Sequence, residues 1–171
     1  MICDNFLEKP EDIIDLSKKI TYRPRNNQEY FEGLRSHPIH LIDENLHKYI
    51  SNKIITTYYG EGTFKYNASI FLHKTQESDL EDKQWLEDKI HTDSGLLAGI
   101  IFLTENAPIN CGTQTYRKEK NSYHIDVVMG NVYNRLILYP ANYYHSASNF
   151  FGAGSRTRLT LLFFLNNISN V

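Results

Sequence analysis

The stretch that decides how this chain is read is Ile90–Leu103, "IHTDSGLLAGIIFL". His91 and Asp93 stand two residues apart. In an extended segment, residues i and i+2 share one face. An imidazole and a carboxylate therefore point the same way, just ahead of an apolar run. Two metal-competent groups on one wall are half of a site, and the rest of the chain must supply the other half.

Outward from that pair, most of the sequence after Gly60 has β character. "TFKYNASIFLH" (63–73) alternates. "KIHTD", "LLAGIIFLTE", "SYHIDVVMG", "NRLILYP", "ANYYHSAS" and "RTRLTLLFFLN" are short runs divided by Gly, Pro and Asn. Short strands with frequent turn signals point to a sandwich or barrel. Twelve tyrosines and nine phenylalanines favour a sheet-rich core over a helical bundle. Before Gly60 the pattern is different. A short strand opens the chain, and a helix starts at Pro10 with Ile13, Ile14 and Leu16 as its apolar face. A second helix over 40–59 rests on Leu41, Ile42, Leu46, Tyr49 and Ile50. The stretch 21–39, punctuated by Pro24, Gly33 and Pro38, reads as loop with a short turn. The acid-rich, aperiodic stretch 74–89 reads as a loop tethered by Trp85 and Leu86, a candidate lid that favours a polar or cationic substrate. No repeat or linker divides the 171 residues, enough for one domain with a sizeable core. The expected architecture is mainly β, with helical support over about 1–60 and a curled double sheet over about 62–166.

Composition narrows the function. A net charge of -2 gives no electrostatic footprint for nucleic acid. No run approaches the roughly 18 apolar residues of a membrane span. The start lacks a basic segment followed by an apolar one, so no secretory signal is expected. Cys3 and Cys111 form neither a CxxC pair nor a disulfide framework, which predicts small thiols in a reducing, cytoplasmic setting.

His145 is the best third ligand. It follows the firm strand "NRLILYP" and lies in an aromatic turn. Two histidines and one carboxylate can occupy one face of an octahedral iron(II) and leave three positions open. A closed structural zinc site would leave none. The last strand adds a cation. Arg156 and Arg158 alternate with Thr157 and Leu159 in "SRTRLTLLFF". An arginine among large hydrophobes is costly unless its charge is paired. The far carboxylate of a dicarboxylic acid would pair it in bidentate fashion, and Thr160 shares the strand face of Arg158.

The order His-x-Asp, a distant His, then Arg in a final strand resembles the 2-oxoglutarate- and iron(II)-dependent dioxygenases, in particular their prolyl-hydroxylase-like branch. "HTD" at 91–93, "NRLILYPANYYHS" at 134–146 and "RLTLLFF" at 158–164 carry the resemblance. "GIIFLTE" followed by "CGTQTYR" resembles the strand and Gly-Thr turn of small uncharacterised members. The likeness covers about Phe64 to Phe164. It implies a double-stranded β-helix (a cupin-like jelly roll) in one domain over 1–171. It makes His91, Asp93 and His145 the Fe(II) ligands, and Arg158 the holder of the distal carboxylate of 2-oxoglutarate, with Arg156 as second choice. Relatives often hold the cosubstrate with a tyrosine on the strand after His-x-Asp. Here Phe102 stands nearest, and Tyr139 or Tyr66 are the substitutes. The implied activity is hydroxylation of an unactivated C–H bond in a small molecule or peptide. Asp93 favours hydroxylation over halogenation, because similar radical halogenases lack that carboxylate.

Several features compete with this reading. His124 and Asp126 repeat the His-x-Asp spacing, but leave little chain before His145. His37, His40, His47 and His73 read as surface or locally satisfied histidines. Arg117 and Lys118 read as solvated. The chief rival is a catalytically silent jelly roll that binds a metal or serves as structure; a metal-dependent isomerase or cofactor-independent dioxygenase is a second. Arg158 separates them, because a dicarboxylate cosubstrate gives it a clear partner.

Overall fold

The computed structural model describes residues 1–24, 31–77 and 89–171. Its elements in chain order are β1 (Ile2–Cys3), α1 (Pro10–Lys19), β2 (Tyr22–Pro24), β3 (Leu34–Ser36), α2 (Glu44–Tyr59), β4 (Phe64–Thr75), β5 (Leu97–Phe102), β6 (Thr113–Glu119), β7 (Ser122–Met129), β8 (Leu136–Pro140), β9 (Tyr144–Ala147) and β10 (Arg158–Asn170). A 3₁₀ turn at Ile39–Leu41 precedes α2. The strands form two antiparallel sheets. The larger runs β1-β8-β5-β10-β4-β3-β2 and the smaller β7-β6-β9. No helix among the described residues is long and apolar enough to cross a membrane.

Alternation along β10 separates the two faces of the larger sheet. Leu159, Leu161, Phe163 and Leu165 pack into one apolar cluster with Ile13 of α1 and Ile50, Ile54 and Ile55 of α2. Arg158, Leu162 and Phe164 line a cleft on the opposite face. The neighbours obey the same division. On β4, Ile70 and Leu72 join the helix-side cluster while His73 faces the cleft. The helices thus cover one face and leave the other for chemistry.

The helices form where local chemistry favours them. Pro10 opens α1 with its φ already helical, Glu11 and Asp12 lie in the first turn, and Lys18 and Lys19 in the last. Asp43 caps α2 by accepting from the Leu46 N–H at 2.9 Å. This places the start of α2 at Glu44, with residues 39–41 forming a separate 3₁₀ turn.

Two expectations are revised. Part of the stretch 21–39 is sheet: β2 pairs with β3, and β3 pairs with β4 at Leu34↔Lys74 and Arg35↔His73. These strands have three residues each, too short to show alternation. The edge of β4 supplies the template that their own sequence does not advertise. "KIHTD" is no strand, and His91 makes only an isolated bridge to His145. Most of the acid-rich stretch, with Trp85, Leu86 and the lid assignment, lies outside the described residues.

Leu161 is fully buried under the helices. Leu161→Ala is expected to cost about 2–5 kcal/mol of unfolding free energy, measured by urea titration.

Candidate metal centre

Three main-chain hydrogen bonds clamp the His-x-Asp segment. The His91 N–H donates to the His145 carbonyl at 3.1 Å, and the His145 N–H donates to the His91 carbonyl at 2.9 Å. The Asp93 N–H donates to the Ala141 carbonyl at 2.8 Å. Two residues on, Gly95 adopts φ 101°, and a Cβ there would lie 2.6 Å from the Leu165 carbonyl oxygen. The turn from Asp93 into β5 therefore requires glycine.

The side chains converge. One donor atom each from His91, Asp93 and His145 lies within 4.8 Å of the other two. His145 Nε2 is 3.3 Å from Asp93 Oδ2, and His91 Nε2 is 3.8 Å from Asp93 Oδ1. Each imidazole is steered in the same way. His91 Nδ1 donates to the Lys89 carbonyl at 2.8 Å, and His145 Nδ1 donates to the Tyr143 carbonyl at 2.9 Å. A ring whose Nδ1 carries the proton presents the lone pair of Nε2. Two imidazole nitrogens and a carboxylate thus lie close enough to share one ion, a donor set that fits a divalent transition metal with open positions. Burial, then the neighbouring His145, holds the His91 pKa below its ordinary value, which favours the neutral donor form.

The trio lies at a cleft of about 390 Å³, lined by residues of both sheets. Arg158 lies in the same cleft, 3% exposed. Its Nε donates to the Cys111 carbonyl at 2.9 Å and its Nη2 to the Gly112 carbonyl at 3.4 Å. No carboxylate among the described residues pairs with it. Burial pulls its pKa down to about 10, still protonated at neutral pH. The "CGT" turn that receives it depends on Gly112, where a Cβ would fall 1.9 Å from the Met129 carbonyl oxygen.

The other sequence candidates separate clearly. Tyr139 lines the cleft, its ring 4.8 Å from that of His145; burial, then the Asp93 charge, raises its pKa far above the ordinary value, so the phenol keeps its proton. Thr160 is fully buried on the face of Arg158. Arg156 lies outside the cleft, exposed, donating to the Asn106 carbonyl at 3.1 Å. Tyr66 packs on the helix side of the sheet, and Phe102 lies buried beneath Arg158, whose Cζ is 5.4 Å from the ring centroid. The second His-x-Asp pair lies on the exposed strand β7, where Asp126 meets Arg117 at 3.0 Å.

Sequence reasoning passed over Phe31, Arg35, His73 and Thr113, which also line the cleft. Arg35 stacks on Phe31, Cζ to centroid 4.0 Å. His73 is satisfied locally, through Nε2 to the Glu32 carbonyl, yet it faces the cleft. The strand alternation of 63–73 was the signal for His73, and the Gly-Thr turn was the signal for Thr113.

A family model described as "Family of unknown function (DUF6445)" matches residues 1–128. The chain belongs to this family. The DUF6445 match includes His91 and Asp93 and ends before His145 and Arg158. No curated protein matches the chain. Among solved structures it is similar to a prolyl hydroxylase from Trichoplax adhaerens, solved in complex with a hypoxia inducible factor oxygen degradation domain peptide fragment. That match has TM-score 0.57 and 11% identity, covering 97% of this chain and 82% of the other. It is also similar to a prolyl 4-hydroxylase from Phytophthora capsici, with TM-score 0.51 and 10% identity over 98% of this chain and 58% of that one. A Pseudomonas putida prolyl-4-hydroxylase matches with TM-score 0.49 and 12% identity, covering 98% and 91%. At these identities the likeness of this DUF6445 chain to the first two is one of fold.

Two predictions test the local geometry. Gly112→Ala should lower unfolding stability by about 2 kcal/mol or more and broaden the amide NMR signals around Arg158. His73 is held neutral by burial first and by the Arg35 charge second, its pKa pushed down to about 3 from an ordinary 6.5. Its contribution is fully present above pH 6.5. As pH falls below that, the unfolded chain takes up a proton that the folded one refuses. Stability then falls by about 1.4 kcal/mol per pH unit on this account. Urea titrations between neutral and mildly acid pH should show a shallower acid loss in His73→Leu than in the parent chain.

Proposed function

We propose that this chain is a 2-oxoglutarate- and Fe(II)-dependent oxygenase, one double-stranded β-helix domain with helical support, that hydroxylates an unactivated C–H bond. The observation that carries the proposal is a pairing within one cleft. On one wall two imidazole nitrogens and a carboxylate converge. In the same cleft lies a buried guanidinium whose hydrogen bonds among the described residues go only to backbone carbonyls. A metal ion alone answers the first feature. A metal-bound cosubstrate with a second, distant carboxylate answers both.

In this reading His91, Asp93 and His145 hold Fe(II), and Arg158 orients the far end of 2-oxoglutarate. The chemistry that bound iron supplies is oxygen activation: substrate C–H, dioxygen and 2-oxoglutarate become C–OH, succinate and carbon dioxide. The remaining work belongs to the protein. Tyr139, protonated and packed on His145, limits the movement of that ring and offers a donor to the cosubstrate. Ile100, Leu162 and Phe164 give the cleft apolar walls that exclude water from the reacting carbon. The lining combines these walls with Arg35, His73 and Lys89, which suits a small polar molecule or a peptide side chain. One structural relative was solved with a peptide fragment, which keeps peptides in the proposed class.

The test is anaerobic addition of Fe(II) and 2-oxoglutarate to the purified chain. A weak visible charge-transfer band should appear and be absent in His145→Ala. Arg158→Gln should weaken 2-oxoglutarate binding on the order of 10- to 100-fold, the worth of lost hydrogen bonds to a charged group. A chain that takes up zinc or no metal, and binds no 2-oxoglutarate, is instead a silent jelly roll with a structural or metal-binding role.

A further inference from the structure

The two sheets have four edge strands, and three of them are short. β1 and β2 border the larger sheet with two and three residues. β9 has four residues, and the bridge from His91 lies along it. β7 is different. It runs for eight residues at the edge of the smaller sheet, and seven of them are exposed. Among the described residues its backbone bonds to β6 and to no other element. An outer row of N–H and C=O groups is therefore open along Ser122–Met129.

An open edge of this length is a template for another strand, and proteins usually protect such edges with lysine, proline or short length. β7, "SYHIDVVM", has neither lysine nor proline. Its one irregularity is the extra residue Asp126, set between the pairs Tyr116↔Ile125 and Thr115↔Val127. Ile125, Val127 and Val128 are 55%, 46% and 58% exposed. Ile109, 64% exposed, continues the apolar strip beside Gly130, where a Cβ would fall 2.7 Å from its Cγ1. Branched apolar side chains along an unpaired strand mark a surface that another chain covers.

The order of residues in β7 says which chain. Ile125 stands between a base, His124, and an acid, Asp126. Asp126 meets Arg117 at 3.0 Å, and Arg117 is the cross-strand partner of His124, so the two polar side chains share a face. Ile125 pairs with Tyr116 and projects from the other face. A two-fold axis through Ile125, normal to the sheet, sets His124 of each copy opposite Asp126 of the other. Directly opposed residues of an antiparallel pair have Cβ atoms about 4.5–5.5 Å apart. Base meets acid twice on one face, and the two Ile125 side chains meet on the opposite face. The strand is thus charge-complementary to itself.

We propose that β7 is the interface between two copies of this chain, paired antiparallel about Ile125 into one six-stranded sheet, β9-β6-β7-β7-β6-β9. The contact uses the same patch on both copies, so the assembly closes at two. Each cleft stays whole, since none of its lining residues lies on β7. The pairing stands apart from the reaction proposed for that cleft.

The experiment is sedimentation velocity of the purified full chain over a concentration series, with the melting temperature of each variant measured alongside. The parent should sediment at twice the monomer mass and dissociate only on dilution. Ile125→Lys, which brings two like charges together across the axis, should weaken self-association by about tenfold or more. His124→Asp sets acid against acid and should weaken it by a similar factor. Adding Asp126→His to that variant exchanges the two charges and should restore the parent's association. All three variants should melt with the parent, because exposed positions carry little of the fold. Where Ile125→Lys melts lower, the exchange of His124 and Asp126 decides. A parent that stays monomeric up to its solubility limit overturns the proposal and leaves the edge to a different occupant. A pair that survives in folded Ile125→Lys overturns it too, since that contact lies elsewhere on the molecule. So does assembly that grows beyond two, or a charge exchange that restores nothing.

Discussion

The candidate site depends on two reciprocal main-chain hydrogen bonds between His91 and His145. They join a segment that is not a strand to the edge of the smaller sheet. Because they are backbone bonds, they fix the spacing of the two histidines before either side chain chooses a rotamer. The i−2 carbonyls then select the tautomer and aim both rings. Asp93 needs only to follow at i+2, with its own N–H held by Ala141. Preorganisation of this kind lowers the entropy that a metal ion must overcome in gathering its ligands. It places the cluster where strand edge, turn and cleft meet, and the glycine at 95 lets the chain leave for β5 at once.

What could be read in the sequence followed from strong local rules. His91 and Asp93 were legible because extended chain puts i and i+2 on one side. His145 was legible because it follows the firm strand "NRLILYP" in an aromatic turn. Arg158 was legible because a charge inside "RLTLLFF" needs a reason. The two helices were legible from Pro10 and from the helical spacing of Leu41, Ile42, Leu46, Tyr49 and Ile50, although the second begins only at Glu44. The rest depended on neighbours. Arg35 enters the cleft only because β3 pairs onto the edge of β4, in a stretch whose Pro and Gly spell loop. Alternation alone allowed Arg156 as readily as Arg158. The ladder begins at Arg158, after the turn around Gly152 and Gly154, and so leaves Arg156 in solvent. Thr75 carries no mark in sequence, since its orphaned hydroxyl shows only in the packed chain.

The electrostatics of the cleft follow from its burial. His73 lies among positive charges: Arg35 and Arg158 both oppose its protonation, and it stays neutral. Asp93 is the carboxylate of the candidate metal centre, and Glu32 is held by Lys89 at 2.8 Å. The guanidinium of Arg158 is thus poorly compensated by the described residues around it. A buried positive centre of this sort favours anions over cations of similar size.

The alternation along β10 has an evolutionary consequence. Leu159, Leu161, Phe163 and Leu165 answer to the helices, while Arg158, Leu162 and Phe164 answer to the cleft. Each set is constrained by a different demand, apolar volume on one side and polar complementarity on the other. Mutational drift can therefore reshape the cleft wall through Leu162 or Phe164 without disturbing the helix-side packing. One strand serves two selective pressures, and either can change while the other holds still.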